Sequence, residues 1–297
     1  MSVTEAQQPD KITDSIRWNL IQRKAQETQI SRAVDLFRGR GIEPVLIKGF
    51  AARLYYPDNV IRESTDIDIA VPAGDFETAR DLVVSNSDKG LAIDLHRELR
   101  HFDTLPWDDL FENSRLVELD DGSTVRVLRP EDHLRVLAVH WLTDGGSNKH
   151  RLWDIYYLVA NRPADFDWER CLNSVDERRR RWLTCTIGLA HKYLDLDVSD
   201  IPVTQAELDP PRWLIKTVER EWAKEVRDLP LEMLLNDPKM LTIQVARRFR
   251  PNPIWSTVHM EGSFDARTRF FYRVGSAIKR VMPSYRRITD ALKLEAK

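Results

Sequence analysis

From Ile12 to Phe37 the apolar residues fall at helical spacing: Ile12, Ile16, Leu20, Ile21, Ile30, Val34, Leu36 and Phe37. The stripe ends at Gly39-Arg40-Gly41, a helix stop. One or two helices are therefore expected over residues 11–38. The pattern then changes to short apolar runs bounded by turn residues, which reads as strands. Pro44–Lys48 is the first. A short helix, Phe50–Tyr56, follows and is broken by Pro57-Asp58-Asn59. Asp66–Val71 is the second strand. Pro72-Ala73-Gly74-Asp75 then opens a helix that runs to about Ser85. Leu91–Leu99 alternates strictly, with Leu91, Ile93 and Leu95 on one face and Ala92, Asp94 and His96 on the other. Val117–Leu128 reads as a hairpin around Asp120-Asp121-Gly122.

From Pro130 the period is helical. Pro130-Glu131-Asp132 starts a helix through Leu142, with proline and acids where the helix dipole favours them. Asp144–Ser147 is a loop. Helices are expected at His150–Asn161, Trp168–Asn173, Arg178–Leu194 and Arg212–Arg227, with a break at Asp209-Pro210-Pro211. Residues 251–265 look like loop. Residues 266–280 look like a basic amphipathic helix with Phe270, Phe271, Val274 and Ile278 on one side. The expected class is α+β: a small mixed sheet with helices in residues 1–128, a helical domain over 129–240, and a basic extension over 241–297.

Composition narrows the class. The chain has 297 residues, a hydrophobic share of 42%, a charged share of 31% and a net charge of −2. This is a globular composition with enough chain for a large core. No apolar run approaches the ~20 residues of a membrane helix, and the polar start predicts no secretory signal. Cys171 and Cys185 have no metal spacing and read as reduced structural thiols in a cytoplasmic protein. The charge is uneven: residues 241–297 carry +8 and the first 240 carry −10. Such a tail suits nucleic acid, an anionic membrane or the acidic body of the chain itself.

The chemistry lies in the strands. A period of two places Asp66 and Asp68 on one face and Ile67 and Ile69 on the other. Ile93-Asp94-Leu95 repeats the pattern. If these strands are neighbours, three carboxylates meet about 5 Å apart. Bare carboxylates that close repel, and divalent cations remove the problem. Mg²⁺ is hard and oxygen-seeking, with Mn²⁺ as the alternative ion; a pair of such ions suits in-line displacement at phosphorus. Gly49, between a strand and a helix, lets backbone N–H groups approach a phosphate. Lys48 adds positive charge, and Arg62 can hold a phosphate oxygen bidentately.

Taken together, residues 47–71, 93–99, 128–142 and 149–159 resemble one branch of the DNA polymerase β-like nucleotidyltransferase superfamily. The matching features are a hydrophobic-Lys-Gly strand end, an arginine before Asp-Ile-Asp, a later Asp-Leu-His, and a helical segment with histidine and Leu-x-x-Asp. The resemblance covers roughly residues 43–160. It implies a polymerase β-like catalytic domain in which Asp66 and Asp68 bridge two metal ions. Asp94 would bind the catalytic ion and accept the proton of the attacking hydroxyl. Lys48 and Gly49 would meet the triphosphate of an NTP co-substrate. Lys149, Arg151 and Asp154 would face the nucleotide from a helix of the next domain. Gly49-Phe50 departs from the Gly-Gly or Gly-Ser pair common in the superfamily. The implied reaction attaches a nucleoside monophosphate to an acceptor hydroxyl of a small molecule, a sugar or a peptide. The alternatives are a toxin-like enzyme acting on protein or tRNA, and an inactive binding or scaffold protein of the same fold.

Bland readings stand beside these. Arg62 can pair with Glu63 or Asp58. His96 reads as a hydrogen-bonded structural histidine, His140 as a core histidine, Asp154 as a helix–helix tie, and Arg178–Arg181 as a solvated helix face. The tryptophans read as core. The chain has no GxxxxGK[ST] loop, no G-x-S-x-G elbow and no zinc spacing among its seven histidines.

Overall fold

The computed structural model describes residues 9–60, 62, 64, 66–87, 90–224, 239 and 251–279. Of the expected basic extension, 241–250 and 280–297 lie outside the described residues, as do the last three residues of the expected helix 212–227. Five short strands form one mixed sheet: β1 (Val45–Leu46), β2 (Ile67–Val71), β3 (Ile93–Arg97), β4 (Arg115–Glu118) and β5 (Thr124–Val127). Their order is β3-β2-β1-β5-β4. The β1/β2 and β4/β5 pairs are antiparallel, and the β1/β5 and β2/β3 pairs are parallel. This is the expected α+β class with a small mixed sheet.

The chain divides into two compact units, residues 1–137 with 157–174 and residues 138–156 with 175–297. The first holds the sheet. Helices α1 (Pro9–Arg38), α2 (Gly49–Arg53) and α3 (Phe76–Ser85) belong to it, as does α4 (Trp107–Glu112), which the sequence pattern did not announce. Ile30, Ala33, Val34 and Phe37 of α1 and Ala79 and Leu82 of α3 pack against Ile67, Ile69 and Val71 of β2. Ile93 and Leu95 of β3 join that cluster. Alternation therefore sends Asp68, Ala70, Asp94 and His96 to the other face. Helix α1 ends where expected, and Arg38 bridges the glycine turn with two bonds to Glu43, each 2.7 Å.

After β5 the described elements are all helical: α5 (Pro130–Thr143), α6 (Leu152–Ala160), α7 (Trp168–Asn173), α8 (Glu177–Leu194), α9 (Gln205–Leu208), α10 (Arg212–Trp222) and α11 (Pro253–His259). Residues 270–279 are also helical. In the second unit α8 is the spine. Gly188 is required there, because a Cβ would stand 1.7 Å from the Leu208 carbonyl oxygen of α9. The arginine run is not a solvated face. Arg179 is buried and bonds Glu261 at 2.7 Å, Arg180 bonds Glu207 at 2.8 Å, and Arg181 reaches Asp265 at 3.1 Å. Acids from two later segments turn it into a set of clamps, which spacing within one helix cannot reveal. Residues 251–265 contain a helix where loop was expected. Asn252 caps it by accepting from Ile254 N–H at 2.8 Å, and Pro253 sits in its first turn.

A buried ionic network in the first unit holds the segment that follows β3. Arg135 of α5 donates to Asp103 at 2.8 Å, to Asp132 at 2.6 Å and to the Arg170 carbonyl at 2.9 Å. Arg170 of α7 returns to Asp132 at 2.9 Å and reaches Asp109 of α4 at 2.7 Å. The side chains of Asp103 and Asp132 are fully buried, so both carboxylates depend on these arginines. Arg135→Met should leave Asp103 without its arginine and Asp132 with Arg170 alone, and lower stability by about 3 kcal/mol or more. Thermal or urea unfolding of the full chain checks this; a change under about 1 kcal/mol would contradict the dependence.

Candidate functional site

The site is assembled by strand register. In the parallel pair β2/β3, Asp68 stands opposite Asp94, and Ala70 stands opposite His96. Lys48 follows β1 on the other side of β2, where the Ile47 N–H donates to the Asp68 carbonyl at 3.2 Å. Its Nζ lies 2.6 Å from Asp68 Oδ1 and 3.7 Å from Asp94 Oδ2. His96 Nε2 lies 2.9 Å from Asp94 Oδ2 and 3.8 Å from Asp68 Oδ1. Phe102, just before the Arg135-bound Asp103, covers the group. Its ring centroid is 5.3 Å from Lys48 Nζ and 5.7 Å from the His96 ring, edge to face.

Burial makes these contacts count. Lys48, Asp68 and His96 are buried, whereas the Asp94 side chain is 49% exposed. Asp94 is the polar edge that solvent or substrate can reach. Gly49 is fixed by the same cluster. Its φ is +36°, and a Cβ there would meet Ser64 Oγ at 3.0 Å and Asp68 Oδ2 at 3.2 Å. A side chain would push on the carboxylate that Lys48 holds.

The charges tune one another. His96 draws the Asp94 carboxyl down to about 2, against the opposing effect of burial, with Lys48 and Arg100 adding to the pull. Burial pushes the Asp68 carboxyl up, but His96 and Lys48 outweigh it and hold the group below its usual range. Burial also pushes His96 down, and the two carboxylates outweigh that and raise it above its usual 6.5.

The structure brings Lys48, Gly49, Asp68 and Asp94 together and adds His96, which the sequence reading had set aside as structural. Asp66 contributes none of the ligand atoms that lie within 4.8 Å of one another, although its carbonyl lies beside Gly49. Asp66 directly precedes β2 and lies half-buried at the bend before the strand, where its carbonyl accepts from Ser64 Oγ at 3.1 Å. Arg62 is half-buried on the same approach. Lys149 is exposed in the other unit, its Nζ 5.3 Å from the Trp222 ring centroid. His140 lies outside the apolar core, with Nε2 2.5 Å from Arg151 Nη1 and 3.7 Å from Asp144. Asp154 is buried in α6.

Two carboxylate oxygens and one imidazole nitrogen, from Asp68, Asp94 and His96, lie within 4.8 Å of one another. That donor set fits a divalent cation. The buried ammonium of Lys48 sets a positive charge against the same oxygens.

The titrations give a pH signature without added metal. The pKa of His96 is raised, so its pairing contributes fully below pH 6.5 and fades as pH rises through the raised value. Asp94 and Asp68 are depressed, so their contributions are present above 3.8 and are lost as pH falls through the folded values, about 2 for Asp94. The stability gap between the wild type and His96→Gln in a chelator should be widest from about pH 4 to about pH 6.5 and should narrow toward about pH 9. Thermal melts across pH measure it; a gap that does not vary with pH would contradict the pairing.

No curated protein and no solved structure matches the chain. A family model described as uncharacterised nucleotidyltransferase matches residues 2–86 and 80–195, which together span more than half of the chain and all of the β1–β3 cluster. The chain belongs to this nucleotidyltransferase family.

Proposed function

We propose that the chain is a divalent-cation-dependent nucleotidyltransferase that moves a nucleoside monophosphate from an NTP to a hydroxyl of a small molecule, a sugar or a peptide. The observation that carries this reading is the register-matched pair Asp68 and Asp94 around a buried positive charge, in a chain of the nucleotidyltransferase family. In the reaction the acceptor oxygen bonds to the α-phosphorus, the bond to the bridging oxygen breaks, and pyrophosphate leaves. A bound Mg²⁺ or Mn²⁺ would neutralise phosphate charge and favour attack at phosphorus.

Asp68 and Asp94 would hold that ion. Asp68 is the anchored member, buried and backed by Gly49, and Asp94 is the open one, facing solvent. Asp94, the half-exposed carboxylate, would also accept the proton of the acceptor hydroxyl as its oxygen bonds to phosphorus. Lys48 offers an ammonium at the same spot, free to meet phosphate oxygens once the carboxylates are otherwise neutralised. Phe102 limits water around Lys48 and His96. Catalysis on this account is mostly positioning and electrostatics.

One observation favours a second reading, an inactive scaffold of the same fold. Lys48 already neutralises the carboxylates, so the cluster is satisfied without any ion. Thermal shift with ATP, GTP, CTP and UTP, with and without Mg²⁺, separates the two. A ligand at ~100 times its Kd adds about 2.7 kcal/mol, or several degrees. The enzyme reading predicts a Mg²⁺-dependent shift with at least one nucleotide, abolished by Asp68→Asn. It also predicts that Lys48→Met, which strands Asp68, is destabilised by about 3 kcal/mol and is partly rescued by Mg²⁺ alone. No shift with any nucleotide, together with no rescue of Lys48→Met, would favour the scaffold.

A further inference from the structure

We propose that His96 is itself a ligand of the divalent cation, beside Asp68 and Asp94, and that it biases the site toward Mn²⁺ over Mg²⁺. This rests on the reading that Asp68 and Asp94 hold a divalent ion, and it adds a residue and an ion preference to that reading.

Position comes first. His96 lies two residues after Asp94 on the same face of β3, so register alone carries the imidazole to the carboxylate pair. Asp66, the sequence candidate for the third acid, precedes β2 and lies outside the compact group. Among the described residues, Asp68, Asp94 and His96 form the one such group of metal-ligand side chains.

The state of the ring comes second. His96 is 5% exposed, and neither of its ring nitrogens has a hydrogen-bond partner. Nε2 sits at ion-pair distance from Asp94 Oδ2, yet off the line of a hydrogen bond. A buried imidazole of purely structural use would be expected to have found a donor or an acceptor. Here the ring stands 5.7 Å from Phe102, and Nε2 faces Asp94 Oδ2 at 2.9 Å and Asp68 Oδ1 at 3.8 Å without hydrogen-bond geometry. A metal ion among these oxygens would satisfy Nε2.

Donor chemistry gives the preference. Mg²⁺ is hard, favours oxygen and gains little from an imidazole. Mn²⁺ accepts the same carboxylates and also belongs to the first-row series that imidazole binds. A nitrogen in the third position therefore raises affinity for Mn²⁺ more than for Mg²⁺.

The test uses the full chain without nucleotide. Electron paramagnetic resonance of free Mn²⁺ gives its affinity, and competition gives that of Mg²⁺. We expect His96→Gln to weaken Mn²⁺ by at least about tenfold and Mg²⁺ far less. His96→Asp, which supplies a third oxygen, should move the preference toward Mg²⁺. Equal losses of both ions in His96→Gln, or no loss of either, would overturn the role of His96 while leaving the carboxylate site standing. Wild type that binds neither ion would overturn the cation site and this proposal together. The wild type alone also decides the point if the variants fail to fold: spin-echo spectra of bound Mn²⁺ should carry nitrogen hyperfine coupling, and spectra without it would overturn the assignment.

Discussion

The contact of the Lys48 ammonium with the Asp68 carboxylate, 2.6 Å long and buried at both ends, is the constraint around which the first unit is arranged. A carboxylate in the middle of a sheet is tolerable only if its charge is met. Meeting it requires β1 beside β2, so that Lys48 leaves its strand next to Asp68. It requires a glycine at 49, where any side chain would press on Asp68. It also requires β3 beside β2 in parallel register, which adds the carboxylate of Asp94 and the imidazole of His96. The Arg135–Asp103 bond then holds the segment that carries Phe102 over the group.

The same contact explains how the site could exist both with and without an ion. Three positive or potentially positive claims converge on two carboxylates: the ammonium of Lys48, the imidazole of His96 and, on the proposed function, a divalent cation. An ammonium and a metal ion cannot both take full advantage of the same oxygens. Lys48 therefore acts as the resident counter-charge of the ion-free protein, and loading the site means exchanging one cation for another. The half-exposed Asp94 is the side from which that exchange is open to solvent, because Lys48, Asp68 and His96 are buried behind it.

Much of this was legible in the sequence, for identifiable reasons. Strands of period two with an acid between branched apolar residues mark both a buried face and a charged one, so Asp68 and Asp94 could be placed on one side before their strands were known to pair. Gly49 was legible as a close approach, and Asp68 and Ser64 lie against it. The α+β class followed from the change of period at Pro130. What was not legible depended on partners distant in the chain. His96 looked structural because nothing local says that its ring nitrogen meets the carboxylates of both Asp94 and Asp68. The partners of Arg179, Arg180 and Arg181 lie 26 to 84 positions away. Asp66 directly precedes β2, and whether it joins Asp68 and Asp94 depends on the neighbouring strand rather than on local spacing. Helix α11 was missed because Asn252-Pro253 reads equally as a turn and as a helix start.

The most direct measurement is anomalous diffraction from crystals of the full chain grown with Mn²⁺ and a non-hydrolysable nucleoside triphosphate analogue. The account predicts a manganese peak in bonding distance of Asp68 and Asp94, with the Lys48 ammonium withdrawn from Asp68 and the triphosphate beside the peak. Manganese bound elsewhere, or a triphosphate bound with the Lys48–Asp68 contact still closed, would contradict it.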